Sequence, residues 1–329
     1  MKNLIVATLI FITFSSKAGI ICIQRGSQTL LETRLDSAIL HSQNDDVIYL
    51  PGGLIFGSSN LTINKRLTII GCGYNFDSTL ATGFTEVNDI SFNSGSDSSI
   101  LIGVYCHSLF VNSNIIINRI KNDNLYLYNG SSNTSITENT LSNLVCISSS
   151  NPSSLPVRQN IIGGSVVGFN NVSFLNNIFQ RNNFNYAYEF DNVMGCFFMN
   201  NIFTYTCLYC NTWEYRFISN SNNNHFQNNL FVMGSDILSL YNNNNSEVNN
   251  YFGVSYNSIF TQNYHLQSGC VGIGAGTDGT DIGIYGTAHP FKEGGLPFNP
   301  HYQLINVPQS VTTPSGTLNV NFQVGAQDH

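Results

Sequence analysis

The stretch SFLNNIF at 173–179 decides how this chain folds. It returns as FFMNNIF at 197–203, as HFQNNLF at 225–231 and, more loosely, as EVNNYF at 247–252. Each copy sets a pair of amides between two short runs rich in Phe. The second Asn of each pair, or its single equivalent, marks a series: Asn118, Asn139, Asn160, Asn177, Asn201, Asn229 and Asn250. The steps are 21, 21, 17, 24, 28 and 21 residues, a mean near 22. A repeat of that length with variable insertions is the sign of a solenoid.

A second ladder runs between the markers. LYLYN (125–129), VCISS (145–149), VVGFN (166–170), YEFDN (188–192), RFISN (216–220) and LSLYN (238–242) keep nearly the same period. Their central residues are Leu127, Ile147, Gly168, Phe190, Ile218 and Leu240, which we expect to point inward. The units hold short β runs without helical periodicity. One such coil cannot bury its apolar face, but stacked coils can, with strands about 4.8 Å apart. Phe174, Phe198 and Phe226 then form one internal column, and Phe179, Phe203, Phe231 and Phe252 another. Asn139, Asn160, Asn177, Asn201, Asn229 and Asn250 form a structural ladder. Each is expected to take the left-handed bend and to bond the amide one coil on.

The flanks complete the expectation. In LLETRLDSAILHS (30–42), Leu31, Arg34, Leu35, Ala38 and Ile39 have helical spacing, which predicts an amphipathic cap helix. DDVIYLPGG (45–53) reads as a first strand and LTINKRLTIIGCG (61–73) as the next coil. Helix, strand, coil and Asn-marked repeats in this order resemble the right-handed parallel β-helix superfamily, the pectate-lyase-like fold, over roughly residues 28–275. GTDGTDIGIYG (276–286) and LPFNPHYQLI (296–305) resemble closing segments of secreted bacterial β-helix proteins of unassigned activity. The expected class is all-β, with coils of about 22 residues between an N-terminal and a C-terminal cap. The expected divisions are a signal peptide (1–18), a cap (19–44), the β-helix (45–275) and a closing segment (276–329), in which TLNVNFQV (317–324) reads as a last strand.

Composition narrows the function. Charged residues are 9% of the chain, against roughly 25% in an average globular protein. Polarity comes from Asn, Ser, Thr and Gly, which suits tightly turned β structure. Lys2, the apolar run LIVATLIFITF (4–14) and the small residues SSKA (15–18) read as a secretory signal, which places the mature chain outside the cell or on its surface. No later run is long enough to span a membrane. Bulky Ile21 before Cys22 argues against a lipid anchor. Without Lys2 and Lys17 the net charge is −9, which disfavours nucleic acid and anionic membranes as partners. Most of the eight Cys sit in apolar strands as small hydrophobes, and Cys207 and Cys210 form a close pair, bonded or buried.

The resemblance implies a glycan as the ligand, held along an outward strand face. If the second ladder points inward, its neighbours Tyr126, Tyr128, Phe169, Phe217 and Tyr241 point outward as rings for sugar stacking. Glu189 and Asp191 share that face about 7 Å apart, as a carboxylate pair for hydrolysis or Ca2+. Arg216, near Glu214 and Trp213, is the candidate base for a lyase, although the known lyase signatures are absent. Asp278 and Asp281 are the candidate Ca2+ ligands, and no other cofactor motif stands out. His107, His225 and His265 share no offset and read as structural. The favoured reading is a secreted or cell-surface protein that binds an extracellular polysaccharide or cell-surface glycan without catalysis, in adhesion or a structural role. The other is a polysaccharide lyase or glycoside hydrolase.

Overall fold

The computed structural model describes residues 19–54, 60–147, 155–180, 190–204, 218–234, 244–307 and 320–326. The chain is all-β, with two long sheets of 12 and 14 strands and, among the described residues, a single α-helix. Successive strands alternate between the sheets: Ile116–Asn118 in the first, Lys121–Leu127 in the second, Ser135–Thr137 in the first, Thr140–Cys146 in the second. Each pairs in parallel with its counterpart one repeat on. A parallel pair needs a long crossover, and here the crossover is the strand in the other sheet. The arrangement is compatible with a β-helix-like solenoid.

The Phe, Asn and Ile residues of the opening motif each have a place in it. Phe174, Phe198 and Phe226 are paired in register on adjacent strands of the first sheet. Their rings stack at 4.8 and 4.7 Å, with nearly parallel planes. Phe179, Phe203 and Phe231 of the second sheet stack at 4.9 and 4.5 Å, and Phe252 continues the column at 4.9 Å. Between the columns the two amides divide the work. The second Asn forms the ladder. Asn139, Asn160, Asn177, Asn201 and Asn229 each donate Nδ2 to the Oδ1 of the next, at 3.0–3.1 Å, ending on Asn250. That Oδ1 also accepts the preceding ladder residue's backbone N–H, and Nδ2 also reaches a backbone carbonyl, as Asn201 does to Phe174 O at 2.8 Å. The ladder begins at Asn139, which accepts the Ile120 N–H. Asn118 lies two residues before that position and donates outward to Thr137.

The left-handed bend belongs to the first Asn, not to the ladder residue as expected. Asn176, Asn200, Asn228 and Asn249 have φ of 54°, 57°, 50° and 53°. Arg119, Glu138 and Gln159 hold the same position in earlier coils, at 51°, 58° and 55°. Non-glycine residues are costly in that region, but six of these seven side chains, all but that of Asn249, reach one chain segment. Asn228 donates to Ala275 O, Asn200 to Thr277 Oγ1, Asn176 to Gly283 O and Gln159 to His289 O. Glu138 accepts the Lys292 N–H, and Arg119 donates to Leu296 O. Residues 275–296 thus run down the flank as a strap, meeting the coils in reverse order. Arg119 is 2% exposed and paired with Glu138 at 2.9 Å.

The strap and the residues before it also cover an outward column. Ile161, Ile178, Ile202 and Leu230 pair along the second sheet and are buried beneath Ile259, Cys270, Ile282, Ile284 and Phe291. The Ile of each NNIF therefore faces out to the strap while its Phe faces in.

The N-terminal helix is shorter than its sequence pattern. It spans Leu35–His41 and buries Leu35, Ala38 and Ile39. Gln28–Glu32 is instead a strand antiparallel to Ile21–Arg25, leaving Leu31 exposed. Gly26, at φ 56°, makes the tight return that captures this run before the helix begins. The Lys65 ammonium caps the helix end through the carbonyls of Ile39 and Ser42. The second-ladder register also needs correction. Leu127 stands beside Cys146, so Ile147 falls beyond the inward position and is 52% exposed. The true inward column is Leu125, Leu144, Val166, Phe190 and Ile218. Leu240 lies outside the described residues. Cys22, Cys72, Cys106, Cys146, Cys196 and Cys270 are free thiols. No helix among the described residues is long and apolar enough to cross a membrane.

The division of labour within Asn-Asn is testable. Asn201→Leu strands the Asn177 N–H and the Phe174 carbonyl and is expected to cost about 3 kcal/mol. Asn200→Gly keeps the left-handed bend and is expected to cost about 1 kcal/mol or less. Urea unfolding monitored by circular dichroism measures both, and equal losses would refute the assignment.

Candidate functional site

The outward column that carries Ile161 and Ile178 continues towards the N-terminus with different chemistry. In register it reads Leu54, Glu86, Tyr105, Lys121, Thr140 and then Ile161. From Ile161 onward it is buried; before it, the side chains are open or half-open. A cleft of about 640 Å3 lies at this junction. The sheet supplies Tyr105, Lys121 and Thr140 as its floor. Tyr74, Phe76, Asp77 and Phe84 form one wall, and Tyr264, Tyr285, Phe291 and Glu293 the other.

The floor is a wired cluster. Strand alternation puts Tyr105 and His107 on the outer face of Tyr105–Val111, with Lys121 and Asp123 beside them on Lys121–Leu127. His107 lies 3.0 Å from Glu86 through Nε2 and 3.1 Å from Asp123 through Nδ1. Tyr105 donates its hydroxyl to Asp123 at 2.8 Å. The Lys121 ammonium sits 4.8 Å above the Tyr105 ring. Burial, then the hydrogen bond to Asp123 and the nearby carboxylate charges, push the Tyr105 pKa up to about 12. Partial burial opposes protonation of His107, but its bonds to Glu86 and Asp123 and their charges outweigh this and raise its pKa.

The far wall repeats the theme. His265 stacks on Tyr285 at 3.8 Å and bonds Glu293 at 2.8 Å. Glu293 also accepts from Asn263 at 2.7 Å and from Tyr285 at 3.3 Å. Burial and then the Glu293 charge raise the Tyr285 pKa. Tyr74 bonds Thr140 at 3.0 Å, and burial raises its pKa as well. Glu86, Asp123 and Glu293 are all engaged, and these three tyrosines hold their protons. The cleft presents flat rings, hydroxyl donors and oriented acceptors.

The residues expected from sequence are distributed differently. Tyr126 faces outward and stacks on Phe110 at 5.2 Å. Tyr128 borders a separate hollow with Asn60, Ser91 and Phe110. Asp191 faces outward and accepts from Asn220 at 3.0 Å. Phe169 was expected outside but is fully buried, edge-on to Phe174. Gly168 explains the difference: at φ 79° it turns the chain after Val166–Val167, so strand alternation stops before Phe169. Glu189, Glu214, Arg216, Phe217 and Tyr241 lie outside the described residues. Asp278 accepts from Thr280 and Asp281 from the Gly274 N–H. Among the described residues no group of three His, Cys, Asp or Glu side chains converges as a metal site.

Comparison with known proteins finds no family model, no curated protein and no solved structure that matches this chain.

His107 supplies the test of the wired floor. Its folded pKa is raised, so its ion pairs add stability below the unfolded value near 6.5, and that addition is lost as pH rises through the raised value. The Tm difference between wild type and His107→Gln is expected to be largest near about pH 5 and to shrink above neutrality. A difference independent of pH would contradict the arrangement.

Proposed function

We propose that this chain is a right-handed parallel β-helix of the pectate-lyase-like type, exported from the cell, that binds a glycan in the cleft at Tyr105 without chemically changing it. The observation that carries the reading is the change along one outward column. From Ile161 to Leu230 other segments of the chain cover it; at Glu86, Tyr105, Lys121 and Thr140 the side chains stay open or half-open. Rings on the floor and both walls suit the apolar faces of sugars, and Glu293, Asp77 and Lys121 suit their hydroxyls. Export rests on the signal-like residues 1–18.

The engagement of the acids and bases beside the cleft floor supports binding without turnover. The carboxylates beside the cleft floor are bound to His107, and the tyrosines have raised pKa values. A lyase needs a base ready at working pH.

A panel of neutral glycans and polyuronates decides between binding and catalysis. Retention of a glycan is expected, with no rise in absorbance from an unsaturated product and no new reducing ends. Tyr105→Ala is expected to weaken retention about tenfold, the loss of one ring contact. Product formation would replace the binding reading with an enzymatic one, and undiminished retention by Tyr105→Ala would move the site elsewhere.

A further inference from the structure

The C-terminal hairpin stands apart from both long sheets. His301–Asn306 and Asn321–Gly325 pair antiparallel with each other and, among the described residues, with no other strand. A lone two-stranded sheet is marginal in water and needs a third strand or a packed face.

This hairpin has such a face. Residues directly opposite one another project to the same side. Ile305 is opposite Phe322 and Tyr302 is opposite Val324. Tyr302 and Ile305 are three residues apart, which in a regular strand would put them on opposite sides. The register shift between Tyr302 and Leu304 inserts one residue and restores Tyr302 to the face of Ile305. The Tyr302 and Phe322 rings meet edge-on at 6.0 Å. Val307 and Val320 extend the same side by the two-residue period. All six apolar side chains are between 40% and 59% exposed. Asn306, Asn321 and Gln323 occupy the other side, together with Leu304.

We propose that this face is covered by the same face of a second copy of the chain, through a two-fold contact. Charge argues for a copy over a different partner. No Asp, Glu, Lys or Arg occurs between Glu293 and Asp328, whereas the whole chain has 19 acidic and 12 basic residues. Two acidic copies repel over most of their surfaces, and this uncharged segment lets them meet without bringing like charges together. A partner recruited by charge would find nothing to pair with here. A flat apolar face is also self-complementary under a two-fold axis. Six side chains form a patch smaller than the roughly 800 Å2 per partner of a standard interface, so the dimer is weak and depends on concentration.

Sedimentation of the full chain from about 1 to about 200 µM tests this. The expected result is a monomer–dimer equilibrium that strengthens with added salt, because salt screens the repulsion of the acidic copies. The double variant Ile305→Lys, Phe322→Asp is expected to remain monomeric across the range. Its thermal melt, followed at the long sheets, is expected to match wild type. Phe322→Ser, a milder change, is expected to weaken the dimer at least fivefold and covers the case in which the double variant misfolds. A wild-type chain that stays monomeric, a dimer weakened by salt, or a dimer that persists in folded Phe322→Ser overturns the proposal.

Discussion

The constraint on which the rest depends is the amide column from Asn139 to Asn250. Stacking coils in parallel requires each coil to bend at the same place, and a buried bend leaves backbone donors and acceptors without strand partners. The Asn side chain answers this by bonding its own column and the main chain of neighbouring coils together. The bond is indifferent to how much chain lies between. Asn160 and Asn177 are 17 residues apart and Asn201 and Asn229 are 28 apart, yet both contacts are 3.0 Å. Insertions are therefore confined to other corners of the coil, and the sheets stay in register.

With the bend fixed, the neighbouring positions acquire separate tasks. The residue before the ladder Asn turns left-handed and points its side chain out, where it holds the strap. The residue after it faces outward beneath the strap, and the next faces inward to the Phe column. The candidate cleft is the place where this pattern stops. Once the outward residue is Thr140 or Lys121 in place of Ile, the strap stays fastened at Glu138 and Arg119 but no longer lies on an apolar column, and the flank opens into a polar, ring-lined hollow.

The sheets and both Phe columns were legible in the sequence because repetition multiplies a weak signal. Seven-residue copies in several coils point to the same register, and no single strand of two or three residues does. The second ladder was misread between Leu127 and Ile147 because the strands there are longer, and several registers satisfy the same apolar count. Phe169 was misplaced because alternation was carried through Gly168, where the chain turns. Most of the cleft was invisible. Tyr105 and His107 meet Lys121 and Asp123 across an offset of 16 residues, in a part of the chain that lacks the NNIF motif. Tyr285 and Glu293 arrive from a segment with no strand pattern at all. The one available sign was the paired alternation of YCHSLFV and KNDNLYL, which aligns Tyr with Lys and His with Asp once the offset is known.

The strap changes how such a molecule comes apart. In a simple stack each layer touches only its neighbours, so the last layers can peel away one by one while the remainder stands. Residues 275–296 touch layers from Asn228 back to Arg119, and they run against the order of the stack. The last layers cannot leave without lifting a segment that is also fastened to the middle ones. A backward-running tie of this kind turns gradual erosion into an all-or-none event over that half of the structure. It also makes the order of assembly matter, since the flank can be closed only after the layers beneath it are in place.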